Sequence, residues 1–317
     1  MILGKGSAPG KVILFGEHAV VYGRPALAIP VAAVRAEAFV ESTPPGCDFT
    51  IWAQDMGEET RLESASPDHP LAAAARLTLE RLGIQRPCAW RLVIHSTVPI
   101  ASGLGSGAAV SAAIVRALAS AAGEELAPAD VGELVYQVDR LHHGNPSGID
   151  NTVIAYEEPV YYVRGQPPQR FSIGRPFWLA IADTGVRSPT KITVGDVRRR
   201  WEHDPAPLEA CFDQIGALVE AAREAIASGD TSRLGPLMDA NHELLCELGV
   251  SSPELERLAS EARRAGAMGA KLSGGGRGGN LIALVTPETA SIVADRLRGV
   301  GATGVIVTPV GNTQGEM

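Results

Sequence analysis

The sequence predicts a two-domain α/β protein, and three observations carry that prediction. With 317 residues, 45% of them hydrophobic and 20% charged, the chain has apolar matter for two cores rather than one. Short β-branched runs alternate with helical apolar spacing along most of its length. The chain is then broken by Gly165 to Pro168 and Gly174 to Pro176, which places a boundary near Ser172 and divides residues 1–172 from 173–317.

In the first half, Lys11 to Phe15 and Arg35 to Glu41 read as strands, Asp68 to Leu82 as a helix and Arg91 to His95 as a strand. A helix from Ala108 to about Ala122 follows, with Val110, Ile114 and Leu118 on one face, and then another from Pro128 to about Leu141. The turn-forming segment His143-Gly-Asn-Pro-Ser-Gly-Ile-Asp150 reads as a loop ending on an acid, with a short strand near Val160 to Val163 beyond it. The second half opens with the apolar strand Phe177 to Ala182. Helices are expected over Thr190 to Glu202, Leu208 to Ser228, Thr231 to Leu248 and Pro253 to Ala265. A sheet closes the chain: strands at Gly269 to Leu272, Leu281 to Val285 and Gly304 to Pro309, the last two joined by a helix from Pro287 to Gly299 as a βαβ unit.

The most informative stretch is Pro99-Ile-Ala-Ser-Gly-Leu-Gly-Ser-Gly-Ala-Ala109, where three glycines run into an alanine-rich helix. Gly103, Gly105 and Gly107 let the backbone turn with positive φ and approach a ligand. Ser106 offers a hydroxyl, and the free amides of the helix that follows favour an anion. Tight strand-to-helix packing produces similar letters, so two readings stand at this point. Three other motifs fail. The Gly-Lys pairs at 4–5 and 10–11 lack the following Ser or Thr of a Walker loop. Gly103 to Ala108 fits a loose dinucleotide fingerprint, but Glu124, Glu125 and Asp130 fall in a helix connection instead of at a strand end. None of Ser106, Ser147 and Ser273 has glycine at both the second position before and the second position after it, as a hydrolase elbow requires.

Composition narrows the class. No apolar run reaches membrane-span length and the first residues lack the apolar core of a signal peptide, so the expected location is the cytoplasm, with no membrane partner. A net charge of −8 argues against nucleic acid, and Arg198 to Arg200, flanked by acids, reads as a solvated helix face. Cys47, Cys88, Cys211 and Cys246 are scattered without metal spacing and are expected as free thiols. Only four of the 28 basic residues are lysines: Lys5, Lys11, Lys191 and Lys271. A chain that uses arginine for generic surface charge marks a lysine in a glycine-bounded turn, as Lys11 and Lys271 are, for a specific ammonium role; composition bias gives the same count.

Three segments form a set: Ala8-Pro-Gly-Lys-Val-Ile-Leu-Phe-Gly-Glu-His18, the glycine loop at 103–107, and Lys271-Leu-Ser-Gly-Gly-Gly-Arg-Gly-Gly279. In this order, over almost the full length, they resemble the GHMP small-molecule kinases. Gly16-Glu-His-Ala-Val-Val-Tyr-Gly-Arg-Pro-Ala-Leu-Ala28 and His143 to Asp150 are most similar to the mevalonate kinases of that family; galactokinases would continue Glu-His with a Thr-Asp-Tyr type sequence. The resemblance implies an amino-terminal domain like ribosomal protein S5 and a ferredoxin-like carboxy-terminal domain, with ATP between them. It also implies ATP- and Mg2+-dependent phosphorylation of the C5 hydroxyl of mevalonate, and a homodimer.

The resemblance also assigns roles. Pro99, Gly103, Leu104, Gly105, Ser106 and Gly107 match the ATP-phosphate loop, and Ser106 matches a magnesium-binding hydroxyl. The second magnesium ligand falls on Asp139, where relatives carry glutamate; a shorter acid remains a hard oxygen ligand. Asp150 matches the catalytic aspartate that accepts the hydroxyl proton, and Lys11 the lysine beside it, whose ammonium favours the ionised carboxylate. Each residue alone also reads as ordinary: Asp139 as a surface acid, Lys11 as a strand-end cation, Asp150 as a helix cap. Glu17, His18, Thr184, Ser273, Gly274 and Gly275 match the mevalonate pocket, with His18 donating to a substrate oxygen and Arg187 or Lys191 adding positive charge. Arg277 interrupts an otherwise glycine run, Gly275 replaces a frequent alanine and Gly107 a frequent serine. A kinase for phosphomevalonate or another small hydroxy acid, a diphosphomevalonate decarboxylase and a non-catalytic sensor share the scaffold.

Overall fold

The computed structural model describes residues 1–84, 89–100, 102–143 and 146–311. In chain order the strands and helices are β1 (Ile2–Phe15), β2 (Ala26–Ser42), β3 (Thr50–Ala53), β4 (Glu58–Arg61), α1 (Pro70–Arg81), β5 (Trp90–Ser96), α2 (Ser106–Ala121), α3 (Pro128–His143), α4 (Ile149–Tyr156), β6 (Val160–Tyr162) and β7 (Gln169–Arg170). They continue with β8 (Phe177–Asp183), α5 (Thr190–His203), α6 (Pro205–Ser228), α7 (Leu234–Glu247), α8 (Pro253–Arg264), β9 (Gly269–Ser273), β10 (Asn280–Val285), α9 (Pro287–Gly299) and β11 (Gly304–Val310). Two compact units result, neither continuous in sequence. The first comprises Met1–Lys11, Val34–Ile100 and Leu104–Glu157; the second comprises Val12–Ala33, Ala101–Gly103 and Glu158–Met317.

In the first unit the end of β2 pairs antiparallel with β5, which pairs parallel with β3, which carries β4 as its antiparallel neighbour. Helix α2 supplies the core, with Ala109, Ala112, Ala113, Ile114, Ala117 and Leu118 fully buried. β1 reaches back to Ile2, nine residues before the expected start at Lys11, and packs on α2 through its glycines. A Cβ on Gly4 would lie 2.3 Å from the Ala121 amide nitrogen, and one on Gly6 2.3 Å from the Ala113 carbonyl oxygen. These glycines, which weaken a strand in isolation, are what lets this strand approach a helix.

The second unit is built on an antiparallel sheet in the order β11-β8-β10-β9. The βαβ unit expected at the end of the chain is present with β8 inserted between its two strands, which gives the ferredoxin-like order. Ala180 and Ala182 of β8, Ala270 and Leu272 of β9, and Leu281 and Ala283 of β10 pack with Phe212, Leu245, Leu255, Leu258 and Leu297 in one core. Because strand side chains alternate, Lys271 and Ser273 of β9 project to the opposite face. The outer edge of β9 is closed by α7: the Ala270 amide donates to Asp239 Oδ1 at 2.9 Å and the Leu272 amide to His242 Nδ1 at 3.2 Å.

Several expectations shift. Arg35 to Glu41 is the second half of β2, a strand that begins at Ala26 and passes through Pro30. The expected helix from Thr231 is a short 3₁₀ turn, Thr231–Arg233, followed by α7. The loop expected up to Asp150 ends two residues earlier, at Gly148, so Asp150 lies in the first turn of α4; Gly144 and Asn145 of that loop, like Cys88, lie outside the described residues. Among the described residues, Cys47, Cys211 and Cys246 are free, and no helix is long and apolar enough to cross a membrane.

Candidate active site

In the first unit, Lys11 stands at the chemical centre. Its side chain is almost wholly buried, yet its ammonium lies 2.9 Å from Asp150 Oδ1, whose carboxyl group remains 39% exposed. Two glycines shape this position. Gly148, with φ +89°, turns the chain into α4 so that Asp150 occupies the first turn, where the helix dipole favours an anion. Gly105, with φ +72°, caps α2, and a Cβ there would come within 3.0 Å of both Lys11 Cγ and Ile154 Cδ1. The glycine loop therefore rests directly on the lysine, and the Lys11 amide donates to Leu104 O at 2.9 Å. Because a glycine cap has no side chain, the first amides of α2, from Ser106 onward, have no side-chain acceptor. A helix end left in this way binds anions. Gly107 has open space where its side chain would be, and Pro99 is half-buried just before the loop.

Asp139, on α3, joins the same cluster. Burial, with the nearby Asp150 carboxylate adding to it, pushes its pKa up to about 7, against a smaller opposing pull from Lys11. Two acids thus share one ammonium, and the group carries a deficit of positive charge when both are ionised. Lys11, Gly105, Asp139 and Asp150, far apart in sequence, are brought together in the first unit, with Ser106 next in chain to Gly105.

The second unit holds the other set. After β1 the chain turns sharply, with φ +97° at Gly16 and +60° at His18, a left-handed conformation uncommon for a residue with a side chain. Glu17 and His18 are both buried. The Glu17 carboxylate accepts from the ammonium of Lys271, which also donates to Leu272 O at 2.7 Å. The Ser273 hydroxyl donates to Ile13 O at 2.8 Å, so two successive outward side chains of β9 fasten the end of β1. His18 Nε2 lies 3.1 Å from Gly275 O, and a carbonyl can only accept, so Nε2 carries the hydrogen. Burial, together with Arg277 and Lys271, lowers the His18 pKa to about 4 despite that bond. At neutral pH, Nδ1 is therefore a bare acceptor, and no protein hydrogen bond reaches it among the described residues. Of the His18 ring atoms expected to meet a substrate oxygen, Nε2 is engaged with Gly275 O and Nδ1 is the one left without a protein partner among the described residues.

The glycine segment after β9 forms in spite of its departures. Arg277 takes φ +57°; its amide donates to Val250 O at 2.7 Å, its Nε donates to Gly249 O at 3.2 Å, and its guanidinium pairs with Asp196 of α5. Gly275 is glycine for a reason visible here, since a Cβ would lie 2.9 Å from Thr190 Oγ1. Gly274, with φ +87°, has nothing within 4 Å of where its side chain would be. Thr184 is buried and tied to the same segment, its amide donating to Gly279 O at 2.9 Å, while its hydroxyl accepts from the Val186 amide at 3.2 Å. Just before the glycine loop, Asn280 donates its side-chain amide to Ser102 O.

Sequence reasoning passed over two features. The rarity of lysine marked Lys271, but nothing in the letters pairs it with Glu17, 254 positions away. His242, Cys246 and Glu256 also bring their ligand atoms within 4.8 Å of one another, from a His-x₃-Cys spacing on α7. The donor set there does not suit a metal. The Leu272 amide occupies the Nδ1 lone pair of His242, which places the ring hydrogen on Nε2, 3.1 Å from Glu256 Oε1. Burial and the neighbouring Glu256 carboxylate raise the Cys246 thiol to about 11, far from the thiolate a metal needs.

Comparison with known proteins shows the family. The model of the GHMP kinases N terminal domain matches residues 69–158, and that of the GHMP kinases C terminal domain matches residues 208–303. Mevalonate kinase of Thermococcus sibiricus is 36% identical, covering 95% of this chain and 94% of that protein; mevalonate kinase of Pyrococcus furiosus is 35% identical with the same coverage. The crystal structure of L. major mevalonate kinase in complex with R-mevalonate superimposes with a TM-score of 0.87 at 29% identity, covering 98% of this chain and 96% of that one. A buried lysine paired with an acid at a capless, glycine-bounded helix end, in a chain with these relatives, places the protein in the GHMP kinase family, among the mevalonate kinases.

Proposed function

We propose that the chain transfers the γ-phosphoryl group of ATP to the C5 hydroxyl of mevalonate, giving 5-phosphomevalonate and ADP. The observation that carries this reading is the Lys11–Asp150 pair at 2.9 Å with the glycine loop packed on the lysine stem. Phosphoryl transfer proceeds through a loose transition state, so alignment and charge neutralisation supply most of the acceleration. Asp150, partly exposed, accepts the proton of the C5 hydroxyl as the new O–P bond forms and the bond to the ADP oxygen breaks. The Lys11 ammonium stabilises the oxygen as it loses that proton. The amides at the start of α2, with Gly103, Leu104 and Gly105 before them, hold the nucleotide phosphates, and Glu17, His18, Thr184 and Ser273 to Gly275 form the mevalonate pocket.

The residues fit a magnesium ion. Asp139 and Asp150 share the ammonium of Lys11, and burial beside Asp150 disfavours the ionised Asp139 carboxylate, a position that a dication relieves. Ser106 and Asp139 would hold it through hard oxygen donors. When bound, it neutralises charge on the transferring phosphoryl group.

A cytoplasmic location, where ATP is supplied, and a homodimer complete the proposal. The test is direct: purified protein is given ATP, magnesium and a panel of mevalonate, phosphomevalonate, homoserine and galactose, with ADP and carbon dioxide both followed. Mevalonate-dependent ADP release without carbon dioxide is expected. Preferred turnover of another acceptor, or carbon dioxide release, would replace this reading with another kinase or a decarboxylase.

A further inference from the structure

We propose that Lys271 is a positioning residue that sets the charge of the mevalonate pocket: its buried ammonium cancels the Glu17 carboxylate so that an acid substrate is admitted beside His18. The proposal rests on the functional reading above, in which Glu17 and His18 line the site of a carboxylate-bearing acceptor.

Four observations lead here. Lys271 is completely buried and so is Glu17, a rare state for either residue type unless each serves the other. The lysine stem lies in an apolar row, with Ile282 as its cross-strand partner on β10 and Ile181 beyond it on β8. A methionine or leucine would satisfy that row more cheaply, so packing does not explain an ammonium. The ammonium is spent on Glu17 and on the carbonyl of Leu272. Finally, the backbone that presents Glu17 and His18 is held in positive φ at Gly16 and His18, and its side chains are anchored on Lys271 and the Gly275 carbonyl, from β9 and the turn after it.

Four charged or titratable groups of the described residues meet at this corner. Glu17 and His18 come from the turn after β1, Lys271 from β9 and Arg277 from the glycine segment, and Arg277 is itself paired with Asp196 of α5. His18 is neutral above pH 5, because burial lowers its pKa to about 4. With Lys271 in place the Glu17–Lys271 pair carries no net charge. Without that ammonium, a buried carboxylate faces the carboxylate of the incoming substrate in a medium that screens poorly, and repulsion raises KM. Acidification then relieves the defect, because a buried carboxyl that has lost its cation takes up a proton at higher pH.

The experiment measures KM and kcat for mevalonate, and KM for ATP, from pH 6 to pH 8.5 in K271M, E17Q and the double variant E17Q/K271M. For K271M the expected result is a KM for mevalonate raised about 10-fold or more at pH 8, a smaller change in kcat and an unchanged KM for ATP. The defect should shrink toward pH 6. The double variant should return KM to within about 3-fold of E17Q alone, since both charges are then gone. A wild-type KM in K271M, a defect independent of pH, or a double variant worse than this would overturn the proposal. If K271M does not fold, the double variant decides alone, and its failure to fold also overturns the proposal, because a role confined to charge balance vanishes when neither charge remains. Unmodified protein in the same assay separates the two levels: if it does not phosphorylate mevalonate the functional reading fails, whereas normal turnover with an indifferent K271M removes only this inference.

Discussion

The two units each hold a lysine bonded to an acid, and the contrast between them shows how burial divides one kind of pair into two jobs. At Lys11–Asp150 the lysine is sealed but the acid is 39% exposed, and a second acid, Asp139, crowds the same ammonium. At Lys271–Glu17 neither partner is more than 1% exposed, and the charges match one to one. An acid that must take a proton from a substrate needs access and a charge balance that can change. An acid that fixes a backbone turn needs neither, and a sealed pair that loses one member is left with a costly uncompensated charge. The open pair is thus suited to chemistry and the closed one to placement.

The comparison is broken most completely at Asp150. Asp150→Asn keeps the shape but cannot accept a proton, and turnover is expected to fall by about 10³-fold or more while ATP affinity, read by calorimetry, stays within a few-fold. Near-normal turnover would mean that the open pair is no more reactive than the closed one.

Asp139 sharpens the contrast, because its strain should be measurable without substrate. Its pKa is raised in the folded protein, from 3.8 to about 7, so the folded state binds the extra proton and stability is lost as pH rises through that window. Asp139→Asn removes the loss. The variant is expected to melt higher than the unmodified chain at pH 8, with the gap narrowing as pH falls from about 7 toward 4, and to need roughly 10-fold more magnesium for half-maximal rate. An unchanged magnesium requirement would return Asp139 to the role of a helix-surface acid.

The smallest effect is expected at Arg277, the edge of the closed site. Arg277→Gly exchanges a partly exposed ion pair with Asp196 for a residue that accepts φ +57° freely, two changes of opposite sign. The midpoint of thermal unfolding should move by no more than about 2 °C. A larger fall would show that the Asp196 link holds the glycine segment in place.

Much of this was legible in the letters, for reasons that are local. Glycines that precede a capless helix, a lysine in a lysine-poor chain and an acid after Pro-Ser-Gly each announce a backbone or charge requirement at their own position. What was not legible depended on partners distant in sequence. Gly4, Pro9 and Gly10 look like strand breakers until α2 is placed against β1, and Pro30 looks like a boundary. In the fold it falls in β2 between Ala26–Ala28, paired with β6, and Ala36–Ser42, paired with β5. The tautomer of His18 was set by the carbonyl of Gly275, a group every residue carries and no sequence motif marks. The raised acid at Asp139 needed α3 and α4 side by side, since neither helix alone brings two carboxyls to one lysine.

One consequence follows from the bare backbone of β1. Gly4 and Gly6 lie flush against Ala113, Ala117 and Ala121, so strand and helix meet with no side chain to act as a cushion. Lys11 lies on this strand and Gly105 caps this helix, which makes the two a single bracket whose far end is Gly4 against Ala121. A methyl group added at residue 4 or 6 would wedge that bracket open. Its effect would be felt at the Lys11–Asp150 pair, through a change made at a residue that belongs to neither partner.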